Sequence, residues 1–136
     1  MEKSNFYRDA RKDIAGPLDG VTVVEATTTW AGPMAACLLA DLGANVLKVE
    51  HPAGEVIRRL PPKLPESELM LPNETVNRNK RNITIDLHKQ EGAEVFLRLV
   101  EGCDIVIENF RPGTLDSWGV GYSDASSRNP KIVYVS

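Results

Sequence analysis

Val21-Thr22-Val23-Val24-Glu25 constrains the fold most. It is a β-branched run that opens behind Gly20, and an apolar helical pattern and a second β-rich run, Asn45 to Glu50, follow it. Between the two runs, Pro33 stands where a first-turn proline favours helix initiation. Met34, Cys37, Leu38 and Leu42 are expected to share a helical face, and Gly43 to end that helix in a left-handed conformation. A strand, a helix and a strand in that order form a βαβ unit. Ile83-Thr84-Ile85-Asp86-Leu87 predicts the start of a second unit, whose helix carries Val95, Phe96, Leu99 and Val100, and Ile105-Val106-Ile107 returns as a strand. A short helical turn near Ser126 and a last strand over Ile132-Val133-Tyr134-Val135 complete the pattern. The expected fold class is therefore α/β: a Rossmann-like, mostly parallel sheet with helices on both faces and right-handed crossovers.

Residues 17–136 are read as this sheet region and residues 1–16 as an amino-terminal tail, with an amphipathic turn around Tyr7 to Ile14 as its one structural possibility. Pro52 to Pro72 contains Pro61, Pro62 and Pro65 among charged residues, so it is expected to be a long loop that resists regular structure and is poorly ordered without ligand or partner. The formal net charge of −3 gives no bulk attraction for nucleic acid or an anionic membrane. A local cluster of Arg78, Lys80 and Arg81 has either phosphate binding or a solvated face open to it. Met1 to Lys12 lacks the apolar core of a signal peptide, and Ala31 to Ala40 is too short to span a bilayer, so a cytoplasmic location is expected. Cys37 and Cys103 match neither a metal cluster nor a redox pair and are expected as buried thiols.

Asp104 to Gly113 carries the chemistry. An apolar strand runs into a loop with an amide (Asn109), a flat apolar face (Phe110) and a planar cation suited to phosphate (Arg111), at the strand end where open parallel sheets collect ligands. The turn after the first strand reads Thr29-Trp30-Ala31-Gly32-Pro33. Neither a Gly-x-Gly-x-x-Gly nor a Walker lysine motif stands there, so an ordinary dinucleotide or nucleoside triphosphate site is not supported. Small residues in that turn admit a ligand to the following helix amino terminus.

These segments, with Leu18-Asp19-Gly20, Leu39-Ala40-Asp41-Leu42-Gly43-Ala44, Val46-Leu47-Lys48-Val49-Glu50 and Asn77-Arg78-Asn79-Lys80-Arg81, occur in an order that resembles the amino-terminal portion of the class III CoA-transferases. That family is formyl-CoA transferase-like and carnitine CoA-transferase-like, and its superfamily includes the alpha-methylacyl-CoA racemases. The resemblance implies the amino-terminal part of the family's large domain, with coenzyme A or acyl-CoA and a carboxylic acid as substrates. No covalent cofactor and no metal site are expected. In the full-length form it implies an interlocked homodimer, with no nucleic acid or membrane partner.

Carried over by resemblance, Thr29 and Trp30 lie by the pantetheine and thioester end, and His51 stands at a phosphate-contacting position. Ile85, Asp86 and His88 line the adenosine portion. Asn109, Phe110 and Arg111 form the central loop, and Ser117 and Trp118 lie one turn beyond. His88 replaces a common lysine and Ser117 a basic residue, which shifts phosphate contacts towards Arg111 or Arg78. Trp30 replaces a smaller polar residue, which disfavours a formyl or oxalyl group and favours a larger or more apolar acyl group. The family's nucleophilic aspartate is expected beyond Ser136, since none of Asp86, Asp104, Asp116 or Asp124 fits its place, and this chain alone is expected to be inactive. Two further readings stay open: a fragment of a racemase-type enzyme, and a non-catalytic CoA-binding or assembly subunit.

Overall fold

A computed structural model describes residues 15–136. The expected turn from Tyr7 to Ile14, and all of the expected tail before Ala15, lie outside the described residues.

Five strands form one sheet: β1 (Thr22–Ala26), β2 (Asn45–Glu50), β3 (Arg81–Thr84), β4 (Ile105–Glu108) and β5 (Val133–Val135). Their order is β3-β2-β1-β4-β5 and every pairing is parallel. Among the described residues five α-helices accompany them: α1 (Ala31–Asp41), α2 (Leu71–Asn77), α3 (Gln90–Glu101), α4 (Thr114–Ser117) and α5 (Tyr122–Arg128). The α/β parallel sheet read from the sequence is thus present. Because successive strands are added on one side of β1 and then on the other, the strand order reverses between β1 and β4. The crevice outside the carboxyl ends of those two strands is where open α/β sheets hold ligands.

Alternation along the strands divides the core in two. Val24, Ala26, Val49 and Val106 belong with Ala93, Phe96, Leu97 and Val100 of α3 on one face. Val23, Val46 and Ile107 belong with Ala36 and Ala40 of α1 on the other. On α3 the expected Phe96 and Val100 are fully buried, while Val95 and Leu99 flank the cluster half-buried.

Helix α1 departs from expectation. Leu38 and Leu42 are exposed at 52% and 46%, and the buried residues are Gly32, Pro33, Ala36, Cys37 and Ala40. The small residues at every fourth position let the helix lie close to the sheet, as Gly32 shows: a Cβ there would stand 2.6 Å from Thr27 Cβ. Larger side chains are forced to the outer face.

Strand β3 also departs, ending at Thr84 where a run through Leu87 was expected. Ile85 N–H makes a last bond to Glu50 O at 2.9 Å. Asp86 then accepts His88 N–H on its carboxylate and turns the chain out of the sheet. The proline-rich stretch after β2 holds a 3₁₀ turn over Val56–Arg59 and one antiparallel bridge, Lys63 with Met70, before α2 begins at Leu71. Both cysteines are buried free thiols. Among the described residues no helix is long and apolar enough to cross a membrane.

Candidate functional site

The carboxyl ends of β1, β2 and β4 and the turn after β3 meet in a groove. At one end Ala26, Val49, His51, Ile85, Leu87, His88, Phe110 and Trp118 enclose a slot of about 100 Å³. The Trp118 ring centroid lies 4.2 Å from that of His88 and 5.3 Å from that of Phe110, which meets it edge to face. A slot this narrow, well below the roughly 300–1,000 Å³ of a drug-sized pocket, takes the edge of a flat ring and not a whole cofactor. Through Val49, His51 and Phe110 it adjoins a cleft of about 230 Å³ lined by Thr27, Thr28, Glu50, Gly54, Glu55 and Val56.

The structure therefore brings His51, Ile85, His88, Phe110 and Trp118 into one slot. Asp86 stands at its rim, 3.1 Å from His88 Nδ1 and 3.7 Å from His51 Nε2. Burial pushes the Asp86 carboxyl up, but the ring and backbone donors of His88 outweigh it and hold its pKa below the usual value. The turn can sit against α3 only because residue 92 is glycine: a Cβ there would fall 2.0 Å from Asp86 O.

The remaining residues are placed elsewhere. Arg111 lines a separate cleft of about 620 Å³ with Glu108, Tyr122 and Tyr134, on the far side of Phe110. The Ser117 hydroxyl donates back to Thr114 O at 2.7 Å. Trp30 is 44% exposed at the start of α1. Asn109 spends its amide on the neighbouring loop, donating to Thr28 O and accepting from Thr28 N–H, both at 2.8 Å. Arg78, Lys80 and Arg81 do not form one basic face. Arg78 pairs with Asp41, Arg81 donates to Asn45, and Lys80 turns inward.

That inward turn belongs to a buried network beneath the loop after β1. Lys48 Nζ donates to Glu25 Oε1 at 2.9 Å and to Thr27 O at 3.0 Å, and lies 3.1 Å from Glu55 Oε2. Lys80 Nζ lies 2.7 Å from Glu25 Oε2 and donates to Pro33 O and Asn77 Oδ1. The ammonium groups neutralise Glu25 Oε2 and Glu55 Oε2, although neither oxygen accepts a well-directed hydrogen bond. Burial pulls the Lys80 pKa down, with Glu25 opposing it.

The network grips the loop. Thr27 O is held by Lys48, the Thr28 backbone by Asn109, and Thr29 N–H by the Glu55 carboxylate. Thr29 has φ 68°, a left-handed conformation that a β-branched residue rarely adopts unless its surroundings impose it. Sequence reasoning missed Glu25, Lys48, Glu55 and Lys80. The signal was a charged residue inside each of two apolar strands that a parallel sheet covers on both faces, where a charge must find a partner.

Glu50 closes the far side, accepting two donors of Arg58 at 2.5 and 2.7 Å, Glu55 N–H at 2.8 Å and the Asn82 amide at 2.8 Å. Burial raises its pKa, but these donors prevail and bring it from 4.5 to about 2. With the folded value below the unfolded one, this stabilisation is complete above the unfolded value and is lost as pH falls from about 4.5 towards about 2. Glu50→Gln is expected to lower stability at neutral pH by about 1–2 kcal/mol, discounted because Arg58 is half-exposed, and to flatten the acid limb. Urea midpoints at neutral and acid pH test this, and an acid limb as steep as the parent's would refute it.

Fold and groove together define an open parallel α/β sheet with a cleft at its switch point. The chain belongs to the CoA-transferase family III, whose sequence profile matches residues 18–136. It is 44% identical over 124 residues to the probable fatty acyl-CoA transferase Rv3272 of Mycobacterium tuberculosis, covering 88% of this chain and 31% of that protein. It is 41% identical to the succinyl-CoA:mesaconate CoA-transferase of Haloarcula hispanica, covering 89% and 31%. Among solved structures, a CAIB/BAIF family protein from Brucella suis superposes with a TM-score of 0.82 at 40% identity, covering 89% of this chain and 33% of that one. The chain thus spans about a third of the length of the relatives it matches.

Proposed function

We propose that this chain supplies the CoA-binding part of a class III CoA-transferase, which moves CoA between an acyl-CoA thioester and a carboxylic acid. The continuous groove carries this reading. Its aromatic end, between Trp118, His88 and Phe110, suits the flat adenine, and its threonine-lined end suits the polar amides of the pantetheine arm. His51, between the two, receives Ala53 N–H on Nδ1, which leaves Nε2–H, on a half-exposed ring 3.7 Å from Asp86 Oδ1, as the donor that would reach a phosphate.

In the proposed reaction a carboxylate attacks the thioester carbonyl, expelling CoA as thiolate and leaving a mixed anhydride. The thiolate then attacks the enzyme's acyl carbon, releasing the first acid and forming an enzyme–CoA thioester. The acceptor acid repeats these steps in reverse and leaves with CoA, restoring the carboxylate. Among the described residues, Asp86, Asp104 and Asp124 are engaged with His88, Thr22 and Gly121 N–H. By the family resemblance, the nucleophile is assigned to the two thirds of the relatives' length that this chain does not match. The preorganised Thr27–Thr29 loop is assigned to the thioester end, and Trp30 beside it to an apolar acyl group, in keeping with the name of the mycobacterial relative. A homodimeric, cytoplasmic full-length enzyme belongs to the same proposal, without nucleic acid or membrane as partner.

Calorimetric titration of the chain with free CoA tests the binding step. Saturable binding is expected, weakened about 5- to 150-fold by Trp118→Ala, since a base–aromatic stack contributes about 1–3 kcal/mol. A folded chain without saturable CoA binding overturns the assignment.

A further inference from the structure

We propose that His51, Asp86 and His88 form a binding site for a divalent transition metal of the zinc or nickel type. His51 follows β2, and Asp86 and His88 follow β3, so it is the parallel pairing of those strands that brings together residues remote in sequence. The three candidate ligand atoms all lie within 4.8 Å of one another. Asp86 Oδ1 is 3.1 Å from His88 Nδ1 and 3.7 Å from His51 Nε2. Metal–ligand bonds of about 2.0–2.2 Å in a tetrahedral array separate the ligands by about 3.3–3.6 Å, and the observed spacings straddle that value.

Two imidazoles and one carboxylate are the donor set that zinc, nickel and copper favour, whereas calcium and magnesium prefer all-oxygen sites. The set is accessible, with His51 and His88 side chains 49% and 56% exposed. It is also partly preorganised. Trp118 packs against the His88 ring, and the His51 and His88 rings meet edge to face at 5.6 Å. A metal would replace the proton that His88 Nδ1 shares with Asp86. Coordination through His51 Nε2 moves that ring's proton to Nδ1 and gives up the bond from Ala53 N–H. Lys89, 3.8 Å from Asp86 Oδ2, occupies the other carboxylate oxygen and leaves Oδ1 to the metal. Three protein ligands leave a coordination position open.

The full chain, stripped of metal with a chelator, is titrated with zinc chloride alone by calorimetry. Cobalt is then titrated in parallel, because its visible absorption reports the coordination. One zinc per chain is expected, with affinity falling at least about tenfold in each of His51→Ala, His88→Ala and Asp86→Asn. A Cys37→Ala/Cys103→Ala variant is expected to retain zinc, which excludes the thiols as ligands. The histidines are exposed, so their variants are expected to fold, and circular dichroism verifies it. Absence of saturable zinc binding overturns the site, as does binding that any one of the three ligand variants leaves intact. The titration contains no CoA, so its failure is distinct from failure of the CoA reading.

Discussion

Lys48→Met is expected to destabilise the chain by about 3–5 kcal/mol, because removing one partner of a buried ion network leaves uncompensated charge in the interior. The Lys48 side chain is 2% exposed, and its ammonium meets Glu25, Glu55 and the Thr27 carbonyl. Methionine conserves much of the volume but supplies none of the donors. Glu25 keeps Lys80, whereas Glu55 loses the one cation it pairs with among the described residues and remains buried. The measurement is the urea midpoint at neutral pH, with the slope checked for constancy. A loss below about 1 kcal/mol would show that water or side-chain movement solvates the carboxylates, contrary to the packing described. A Lys48→Met/Glu55→Met pair should recover part of the loss, since the stranded charge is then gone, although Thr29 N–H loses its acceptor. CoA binding should weaken in both, because the loop after β1 is no longer held.

Phe96→Ala is expected to cost about 3–5 kcal/mol, the range for truncating a buried phenylalanine. Phe96 has no exposure and belongs to the larger core cluster, along with Val24 and Val106 of the sheet and Ile85 and Leu87 beside the slot. Alanine removes the largest apolar side chain of α3 and leaves a cavity between helix and sheet. The amino-terminal turn of α3 is also the surface on which the Asp86 turn rests at Gly92, so a loosened helix should widen the slot as well. Urea unfolding measures the first effect and CoA titration the second. A cost under about 1.5 kcal/mol would mean that neighbouring side chains collapse into the space.

The order of the strands and of α1, α3 and α5 was legible because its signals are local, whereas α2 and α4 were not expected. β-Branched runs ending at Glu25 and Glu50, Pro33 in a first helical turn and the apolar face of α3 each declare themselves within a few residues. The exact end of β3 was not legible, since Ile85 and Leu87 are apolar and β-compatible and only the Asp86 turn removes them from the sheet. The face of α1 was misread for a related reason. Leu38 and Leu42 have the hydrophobicity of a core face, yet the close approach of helix to sheet admits only Gly32, Ala36 and Ala40.

The candidate site divides in the same way. His51, Ile85, His88, Phe110 and Trp118, matched to family positions by resemblance, converge in one slot, while Arg111 lies in another cleft and Asn109 is committed to Thr28. From residue order and type alone came the parallel α/β class and the positions of α1, α3 and α5, because backbone preference and hydrophobic period act over short stretches of chain. Only the tertiary structure decided which charges are buried and whom they meet. The pairing of Lys48 with Glu25 and Glu55, of Lys80 with Glu25, and of Asp86 with two histidines depends on strand register and helix approach. Those are settled by packing across the whole sheet, where an unpaired charge has no water to turn to.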